Sequence, residues 1–205
     1  MNRRWWASLA AVCALGFSLR AAVGTFDARR PLFPTHYYND ERDYVEAASL
    51  LREGRLDARR TALTPGKEVY ARWLALLARG FGPGHLPGRL ANAAAGGLTI
   101  GLWGWSTAVV TNPPAGLAAA AFIAAWPSHN FHTSMAIKEA PISLLLALCV
   151  AALLAGLAAD GRRRQLWFAA AAAAALGLSL MRAYLLPILA LSTAAAALRP
   201  GRPAR

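Results

Sequence analysis

The acidic residues of this sequence are concentrated in one short stretch. Ten Asp and Glu occur among 205 residues, and five of them lie in YYNDERDYVEAASLLREG, residues 37 to 54. Carboxylates in such a stretch can act as general bases, can ligate a hard metal ion, or can form the wet face of a surface helix. The spacing alone does not decide among these roles. The five acids are Asp40, Glu41, Asp43, Glu46 and Glu53.

Three further charged residues adjoin or interrupt apolar sequence. Lys138 and Glu139 precede the apolar run ISLLLALCVAALLAGLAA, and Arg182 interrupts the apolar residues 166 to 198. An arginine in such a position is costly in lipid unless it faces a cavity or a partner, although at a helix end it can also snorkel to the interface. A neighbouring Lys–Glu pair at a surface contributes little by itself.

The histidines do not form a metal signature. His129 and His132 are three residues apart on an expected loop, and no third ligand follows at a spacing typical of zinc. His85 lies in the expected turn GPGHLPG, and His36 stands alone. The histidines therefore predict no metal site. Three acids offer the hard oxygen atoms that a divalent cation binds, so a divalent cation as a cofactor stays an alternative. These acids are Asp40, Glu41 and Glu139.

The composition is that of a membrane protein. Hydrophobic residues make up 57% of the chain, and several apolar runs approach the ~20 residues needed to cross a bilayer. A soluble helical bundle with an alanine-rich core is the competing class, but it does not explain apolar runs almost free of charge. Cys13 and Cys149 lie inside apolar runs, where we expect small buried hydrophobes rather than a disulfide.

The apolar segments predict an all-α transmembrane bundle of about six spans. The segments from 166 to 198 are too long for one crossing at 1.5 Å per residue, so we expect two short spans around Arg182. Four glycines in the second span would let a neighbouring helix approach closely. The expected spans are residues 5–24, 89–110, a segment after the turn TNPP ending at 126, residues 142–159, and the two segments within 166–198.

A polar insert separates the first span from the rest. Residues 25 to 88 hold eight of the ten acids. Tyr44, Ala47, Ala48 and Leu51 share one face of a predicted helix that Gly54 ends, and EVYARWLALLARGFG repeats this amphipathic design. We expect both helices to lie along the membrane surface.

The distribution of basic residues predicts the orientation. Six spans place Arg3, Arg4, the arginines at 162–164 and the tail RPGRPAR on one side, which the positive-inside rule makes cytoplasmic. Both termini are then cytoplasmic, and the insert, the loop before Lys138 and Arg182 face outward across a cytoplasmic membrane. The net charge of +12 fits anionic lipid headgroups, and we predict no nucleic-acid partner.

The whole chain is predicted to be one transmembrane module. Its parts are a first span at 1–24, an outer loop at 25–88, the remaining spans at 89–198 and a basic cytoplasmic tail at 199–205.

Several short patterns occur in a fixed order along this module. Asp40 and Glu41 are followed by Tyr44 and Ala48, and the segment VYARWLALLARGFG comes next. Three longer patterns complete the order: Arg89, Leu90, Asn92 and Ala93; AAWPSHNFHTSMAIKEAPISLLLAL; and LGLSLMRAYLLPILAL. This order resembles the N-terminal module of the polytopic GT-C glycosyltransferases, and in particular the branch of dolichyl-phosphate-mannose protein mannosyltransferases and aminoarabinose transferases. The resemblance covers about residues 5 to 198.

The resemblance implies transfer of a sugar from a polyprenyl-phosphate carrier to a lipid or glycan acceptor on the outer face of the membrane. It places the catalytic base on Asp40, with Glu41 as the second choice. Lys138 and Arg182 would bind the donor phosphate. Supporting positions are Asp43, Tyr44, Arg89 and Glu139.

Other functions stay open at this point. The chain resembles only the first part of such enzymes, so a second chain that completes the site is one option. A non-catalytic scaffold or accessory subunit with the same fold is the main alternative, because charged residues often form only a solvated face. A transporter is disfavoured, since the sequence shows no inverted repeat or paired broken helices.

Overall fold

The protein is an all-α bundle, as the sequence predicts. The computed structural model describes residues 1–32, 35–55, 65–185, 187–188 and 190, and no strand occurs in these residues. A short 3-10 turn, Thr35–Tyr38, precedes the second helix. The helices are α1 Arg3–Arg29, α2 Asn39–Arg52, α3 Pro65–Phe81, α4 His85–Val110, α5 Pro113–Ala125, α6 Pro127–Ser134, α7 Glu139–Leu157 and α8 Gly161–Met181.

Among the residues that the structure describes, four helices are long and apolar enough to cross a membrane: α1, α4, α7 and α8. The chain is therefore a multi-pass membrane protein. The limits of α1 and α4 extend those predicted from sequence, because α1 continues through Asp27 to Arg29 and α4 begins at His85, which was expected in a turn. The predicted break at Arg182 is confirmed, since α8 ends at Met181. Most of the second span expected after Arg182 lies outside the described residues.

The contacts between helix ends define two ends of the bundle. At the insert end, the start of α4 meets the end of α1 through Arg89 and Gly24, and the start of α7 meets the end of α8 through Glu139 and Arg182. The opposite end of the bundle contains the turn between α4 and α5, and we call it the turn end. There the indole N–H of Trp5 donates to the carbonyl of Pro113 at 2.8 Å. Helices α1 and α4 are therefore antiparallel, as are α7 and α8.

Close helix packing relies on small residues, as predicted for α4. An added methyl group on Gly97 would lie 3.2 Å from Phe17 of α1, and one on Gly104 would lie 2.8 Å from Leu9 and 2.9 Å from Ala120. Lipid provides no hydrophobic driving force for helix association. Close van der Waals packing of this kind therefore stabilises the contact between the helices.

The expected third span is a broken helix, which corrects the sequence prediction. Helix α5 has 13 residues and is about 20 Å long, too short to cross the ~30 Å hydrocarbon core. It begins inside the predicted turn TNPP, with Asn112 as N-cap and prolines in its first turn, and it ends where Trp126 becomes extended ahead of Pro127. The chain then forms α6, so the segment expected as a polar loop starts with eight helical residues.

A buried extended segment follows α6. Met135, Ala136 and Ile137 are at most 7% exposed, and their backbone has no helical hydrogen bonds of its own. The Asn92 side-chain amide donates to the Met135 carbonyl at 2.6 Å and to the Ile137 carbonyl at 2.7 Å. Irregular backbone at such depth is tolerated only when neighbouring groups of the protein satisfy it.

The insert packs over this extended segment. Tyr44 and Ala48, which lie on the predicted apolar face of α2, are buried against Tyr70 and Leu74 of α3 and against residues 135–137. On α3 the predicted apolar face is only partly used, because Trp73 is 43% exposed and Leu76 is 58% exposed. The exposed apolar side of α3 suits the surface of a membrane.

The tight contact between α4 and α5 yields a test of the packing. A methyl group on Gly116 would lie 2.5 Å from both the Gly104 carbonyl oxygen and Ala108 Cβ, whereas one on Gly80 meets nothing within 4 Å. We expect Gly116→Ala to lower the free energy of unfolding in detergent by about 1–3 kcal/mol because the core is overpacked. Gly80→Ala, the matched control, should leave thermal unfolding unchanged or raise its midpoint. Equal midpoints for the two variants would contradict this packing.

Candidate functional site

A buried cluster of charges joins the insert to the bundle. The Arg89 guanidinium donates from Nε and Nη2 to the two carboxylate oxygens of Glu41, at 2.7 and 2.6 Å. Its Nη1 donates to Asp27 Oδ2 at 2.7 Å and to the Gly24 carbonyl at 2.9 Å. All three charged side chains are at most 5% exposed. A bidentate pair such as Arg89–Glu41 is among the stronger charge-assisted hydrogen-bonding contacts.

Glu41 also holds the extended segment. Its Oε1 accepts a hydrogen bond from the Ala136 backbone N–H at 2.7 Å, and His85 Nδ1 lies 3.6 Å from Oε2. Burial alone would raise the pKa of Glu41, but the hydrogen bonds from Arg89 and Ala136 outweigh it and lower the pKa to about 2. The carboxylate therefore stays ionised with both oxygens engaged. In this arrangement Glu41 is a positioning residue of the insert.

Asp40 has a different environment, although it is the next residue. Successive side chains of a helix point about 100° apart, so Asp40 leaves the core when Glu41 enters it. Its side chain is 64% exposed, and its Oδ1 accepts from Lys67 Nζ of α3 at 3.0 Å. The same ammonium group lies 5.6 Å from the centre of the Tyr44 ring.

Arg182 pairs with Glu139 across the ends of α7 and α8. Its Nη2 donates to Glu139 Oε1 at 2.5 Å, and Nη1 donates to the Tyr184 hydroxyl. Both members of the pair are about one-third exposed. Lys138 is the residue just before α7 and is half-buried.

These groups form one outer charged cluster, which we define as Asp40, Lys67, Lys138, Glu139 and Arg182. Burial lowers the pKa of Lys138, and nearby Arg182 and Lys67 act in the same direction, whereas Glu139 and Asp40 oppose them. Lys138 is therefore within electrostatic range of the other four. The structure thus brings together four residues singled out from the sequence and adds Lys67.

The other singled-out residues lie beside or below this cluster. Tyr44 is buried in an edge-to-face contact with Tyr70, and burial together with the Glu139 and Asp40 carboxylates raises the pKa of its hydroxyl. Asp43 is exposed on α2. Arg89 is the centre of the buried charges and does not belong to the outer charged cluster.

An open groove of about 520 Å³ adjoins the cluster. We call it the α6 groove; it lies between α4, α5, α6 and α7, and Glu139 and Arg182 are among the residues that line it. Its remaining lining is partly aromatic and partly polar. The remaining residues are Thr99, Trp103, Ile123, Trp126, Ser128, His129, His132, Ile142, Ser143 and Leu146.

A second groove on the opposite face of α4 is apolar. It has about 1100 Å³ and runs between α1, α4, α7 and α8, with Trp6, Trp105 and Trp167 towards the turn end. Its surface suits the acyl or prenyl chains of lipid.

No three His, Cys, Asp or Glu side chains within the described ranges come together in a way that could hold a metal ion. Two of the acids considered as metal ligands have different partners, because Glu41 pairs with Arg89 and Glu139 pairs with Arg182.

Arg20 is a buried residue that the sequence reasoning missed. It is 0% exposed inside α1, donates from Nε to the Thr133 hydroxyl at 2.7 Å, and reaches the carbonyls of Gly16 and Ile123. It therefore fixes α6 and the end of α5 to α1. The signal was present in the sequence as a single arginine inside an apolar run.

The sequence analysis also missed the role of Asp27. It was assigned to the polar insert as one of eight acids, whereas it lies in the last turns of α1 against Arg89.

Comparison of the chain with protein-family models, with curated proteins and with solved structures finds no match.

The different environments of the acids on α2 can be tested directly. We expect Glu41→Gln to lower the free energy of unfolding by about 3–5 kcal/mol, because it breaks a buried pair and leaves Arg89 partly uncompensated. Glu53→Gln, at the end of the same helix in an exposed pair with Arg55, should change stability little. Thermal unfolding of both variants in the same detergent measures this. Indistinguishable midpoints would show that the buried charges do not hold the insert.

Proposed function

We propose that this chain is a membrane glycosyltransferase, or the N-terminal part of one, that uses a polyprenyl-phosphate-linked sugar. The observation that supports it best is the adjacency of the outer charged cluster and the α6 groove. A lipid-linked sugar phosphate needs cationic groups for its phosphate and a route to the membrane for its chain. Lys138, Arg182 and the groove between α4 and α7 offer both.

In this proposal Asp40 acts as the general base. It removes the proton from an acceptor hydroxyl, whose oxygen then forms a bond to the anomeric carbon of the sugar. The bond from that carbon to the phosphate oxygen breaks, and the phosphate leaves with the electron pair. Lys138 and Arg182 stabilise the negative charge that develops on it.

The outer charged cluster contains two ion pairs. Arg182 is held by Glu139, and Asp40 is held by Lys67. The Arg182–Glu139 pair is partly exposed, so exchanging the Glu139 carboxylate for a phosphate at Arg182 costs little. A donor phosphate would therefore compete with Glu139 for the guanidinium, while Lys67 orients Asp40.

The charges also support an orientation. Arg3, Arg4 and the arginines at 162–164 lie at the turn end, with the exposed Trp6 and Trp167 nearby. Basic residues mark the cytoplasmic side, and tryptophans favour the interface. We propose that the turn end is cytoplasmic, that the insert end faces outward from a cytoplasmic membrane, and that the acceptor is a lipid or glycan there. A divalent metal and a second chain that completes the site stay open in this proposal.

A non-catalytic scaffold with the same fold is the second candidate, and one observation favours it. The Asp40 side chain is 64% exposed and is not among the residues that line the α6 groove. In a scaffold, the outer charged cluster would bind headgroups or a partner without carrying out chemistry.

A transfer assay separates the two candidates. Membranes that contain the native chain, and separate membranes that contain the Asp40→Asn variant, are supplied with radiolabelled polyprenyl-phosphate-linked sugars isolated from cells. The Asp40→Asn substitution keeps the size of the side chain and removes the base. We expect native transfer and at least a hundredfold loss in Asp40→Asn, within the usual range for a general base. Glu53→Gln on the same helix is the control and should transfer at the native rate.

Transfer that survives in Asp40→Asn would contradict the assignment of the base. Absence of transfer from the native chain, with insertion verified and donor intact, would favour the scaffold.

A further inference from the structure

The groove between α1, α4, α7 and α8, which we call the apolar groove, is open along one face of the bundle. None of the described residues that line it is charged. Its volume of about 1100 Å³ is at the upper limit of the pockets that bind small molecules, which is about 1,000 Å³. Leu98 and Trp6 in its lining are 61% and 47% exposed. A continuous exposed apolar surface of this size marks contact with a membrane or with another apolar partner.

The apolar groove covers only the half of the bundle towards the turn end. Along α1 its lining runs from Trp6 to Phe17, and along α4 it runs from Trp105 to Ala94. Each stretch rises about 16 Å at 1.5 Å per residue, which is about half of the ~30 Å hydrocarbon core. The acyl chains of one leaflet occupy this depth, whereas a further crossing helix needs the full thickness. The length of the groove therefore favours lipid chains over a helix.

The glycines of α4 in this groove are already used inside the bundle. Gly97 and Gly101 have the four-residue spacing that is typical of helix association in membranes. A methyl group on Gly97 would lie 3.2 Å from Phe17, and one on Gly101 would lie 3.1 Å from Cys13 Sγ. Helix α1 therefore packs against both positions, and they do not call for a further helix.

Two arginines continue the lining faces of the groove beyond its turn end. On α8, Arg163 is four residues before Trp167 and seven before Ala170, and both of these line the groove. On α1, Arg3 is three residues before Trp6, which also lines it. Residues at these spacings share one face of a helix. Both arginines are exposed, so their guanidinium groups flank the mouth of the groove.

The next arginine along each helix lies off the groove face. Successive side chains of a helix point about 100° apart, which turns Arg4 and Arg164 away from the lining. The Arg164 guanidinium carbon lies 5.5 Å from the centre of the Phe168 ring. The positive-inside rule requires basic residues at this end, but it does not distinguish the two arginines of either helix. Each helix thus offers a matched comparison between an arginine on the groove face and one off it.

The charge at the mouth selects the kind of lipid. Five arginines lie at the turn end against one acid, Asp160. Within the described ranges, none of the five pairs with a carboxylate. Trp6 and Trp167, on α1 and α8, are about half exposed, as is typical of tryptophan at the level of the headgroups. Guanidinium groups bind phosphate with two hydrogen bonds, so this end complements a lipid with net negative charge.

We propose that the apolar groove binds an anionic phospholipid of the leaflet at the turn end. The acyl chains lie in the groove, and the phosphate lies at its mouth between Arg3 and Arg163. Because the groove separates α1 from α8, the lipid joins the two outer helices of the bundle. The inference goes beyond the proposed function and does not rest on it, since the outer charged cluster is at the opposite end.

Binding to the purified full chain tests the proposal. The chain in a non-ionic detergent is titrated with one of three lipids, and bound lipid is counted by native mass spectrometry. The lipids are phosphatidylglycerol, phosphatidylcholine with the same acyl chains, and polyprenyl phosphate. Phosphatidylglycerol with a photoreactive diazirine in one acyl chain then labels the residues around that chain. All variants are first compared with the native chain by thermal unfolding.

The charge variants separate a site from general attraction. We expect the native chain to bind phosphatidylglycerol at least tenfold more tightly than phosphatidylcholine. The double variant Arg3→Gln/Arg163→Gln should weaken phosphatidylglycerol binding about 25-fold, since each arginine near a membrane surface contributes about fivefold. The double variant Arg4→Gln/Arg164→Gln removes the same charge off the groove faces and should stay within about threefold of native affinity. Equal losses in the two double variants would overturn the inference.

The groove variants test where the acyl chains lie. Ala170→Trp fills the groove from α8, whereas Ala172→Trp adds the same side chain at an exposed alanine that does not line it. We expect Ala170→Trp to weaken phosphatidylglycerol binding at least tenfold and to abolish labelling of the groove, and Ala172→Trp to do neither. Labelling confined to other faces of the native chain would overturn the inference.

Three further results would overturn the proposal by assigning the groove to another occupant. Tighter binding of polyprenyl phosphate than of phosphatidylglycerol, lost in Ala170→Trp, would assign it to the lipid carrier. A dimer that Ala170→Trp abolishes would assign it to a second copy of the chain. Absence of phosphatidylglycerol binding, with a lowered unfolding midpoint in Ala170→Trp, would assign it to another segment of the chain itself. The transfer assay with Asp40→Asn tests the proposed function separately from all of these.

Discussion

The arrangement of the insert end depends on a single buried guanidinium. Arg89, in the second turn of α4, draws together the last turns of α1 through Asp27 and the first turn of α2 through Glu41. Glu41 in turn holds the Ala136 backbone. Removing charges from water is costly, and these contacts offset that cost only because every partner is present at once. Four parts of the chain, around residues 27, 41, 89 and 136, are therefore fixed relative to each other.

This constraint explains why two adjacent acids differ. Because Glu41 must face Arg89, the helix turns Asp40 outward to Lys67 of α3, a helix that also contacts α8. The ordered segment before α7 then places Lys138 and Glu139 next to the same surface. The buried charges supply rigidity, while the partly exposed cluster supplies groups that can exchange partners. A site that binds a charged lipid headgroup needs both properties.

The sequence predicted the helices better than it predicted their roles. Apolar length and amphipathic spacing located α1, α4, α7, α2 and the end of α8, since these depend on local pattern. The end of the third segment at residue 126 was predicted, but its shortness and the helix that follows it were not, because residues 113–125 are apolar like a span and residues 127–134 are polar like a loop. Glu41 and Asp40 could not be told apart, because which of them enters the core depends on Arg89, 48 residues further on. The pairing of Arg20 with α6 likewise depends on contacts more than a hundred residues apart in sequence.

The most direct test of the account is an experimental structure of the chain with a sugar-bearing polyprenyl phosphate bound. The account predicts that the phosphate replaces Glu139 as the partner of Arg182 and lies within reach of Lys138. It also predicts that the contacts among Arg89, Glu41 and Asp27 are unchanged. A headgroup bound in the apolar groove between α1 and α8, with the Arg182–Glu139 pair intact, would contradict it.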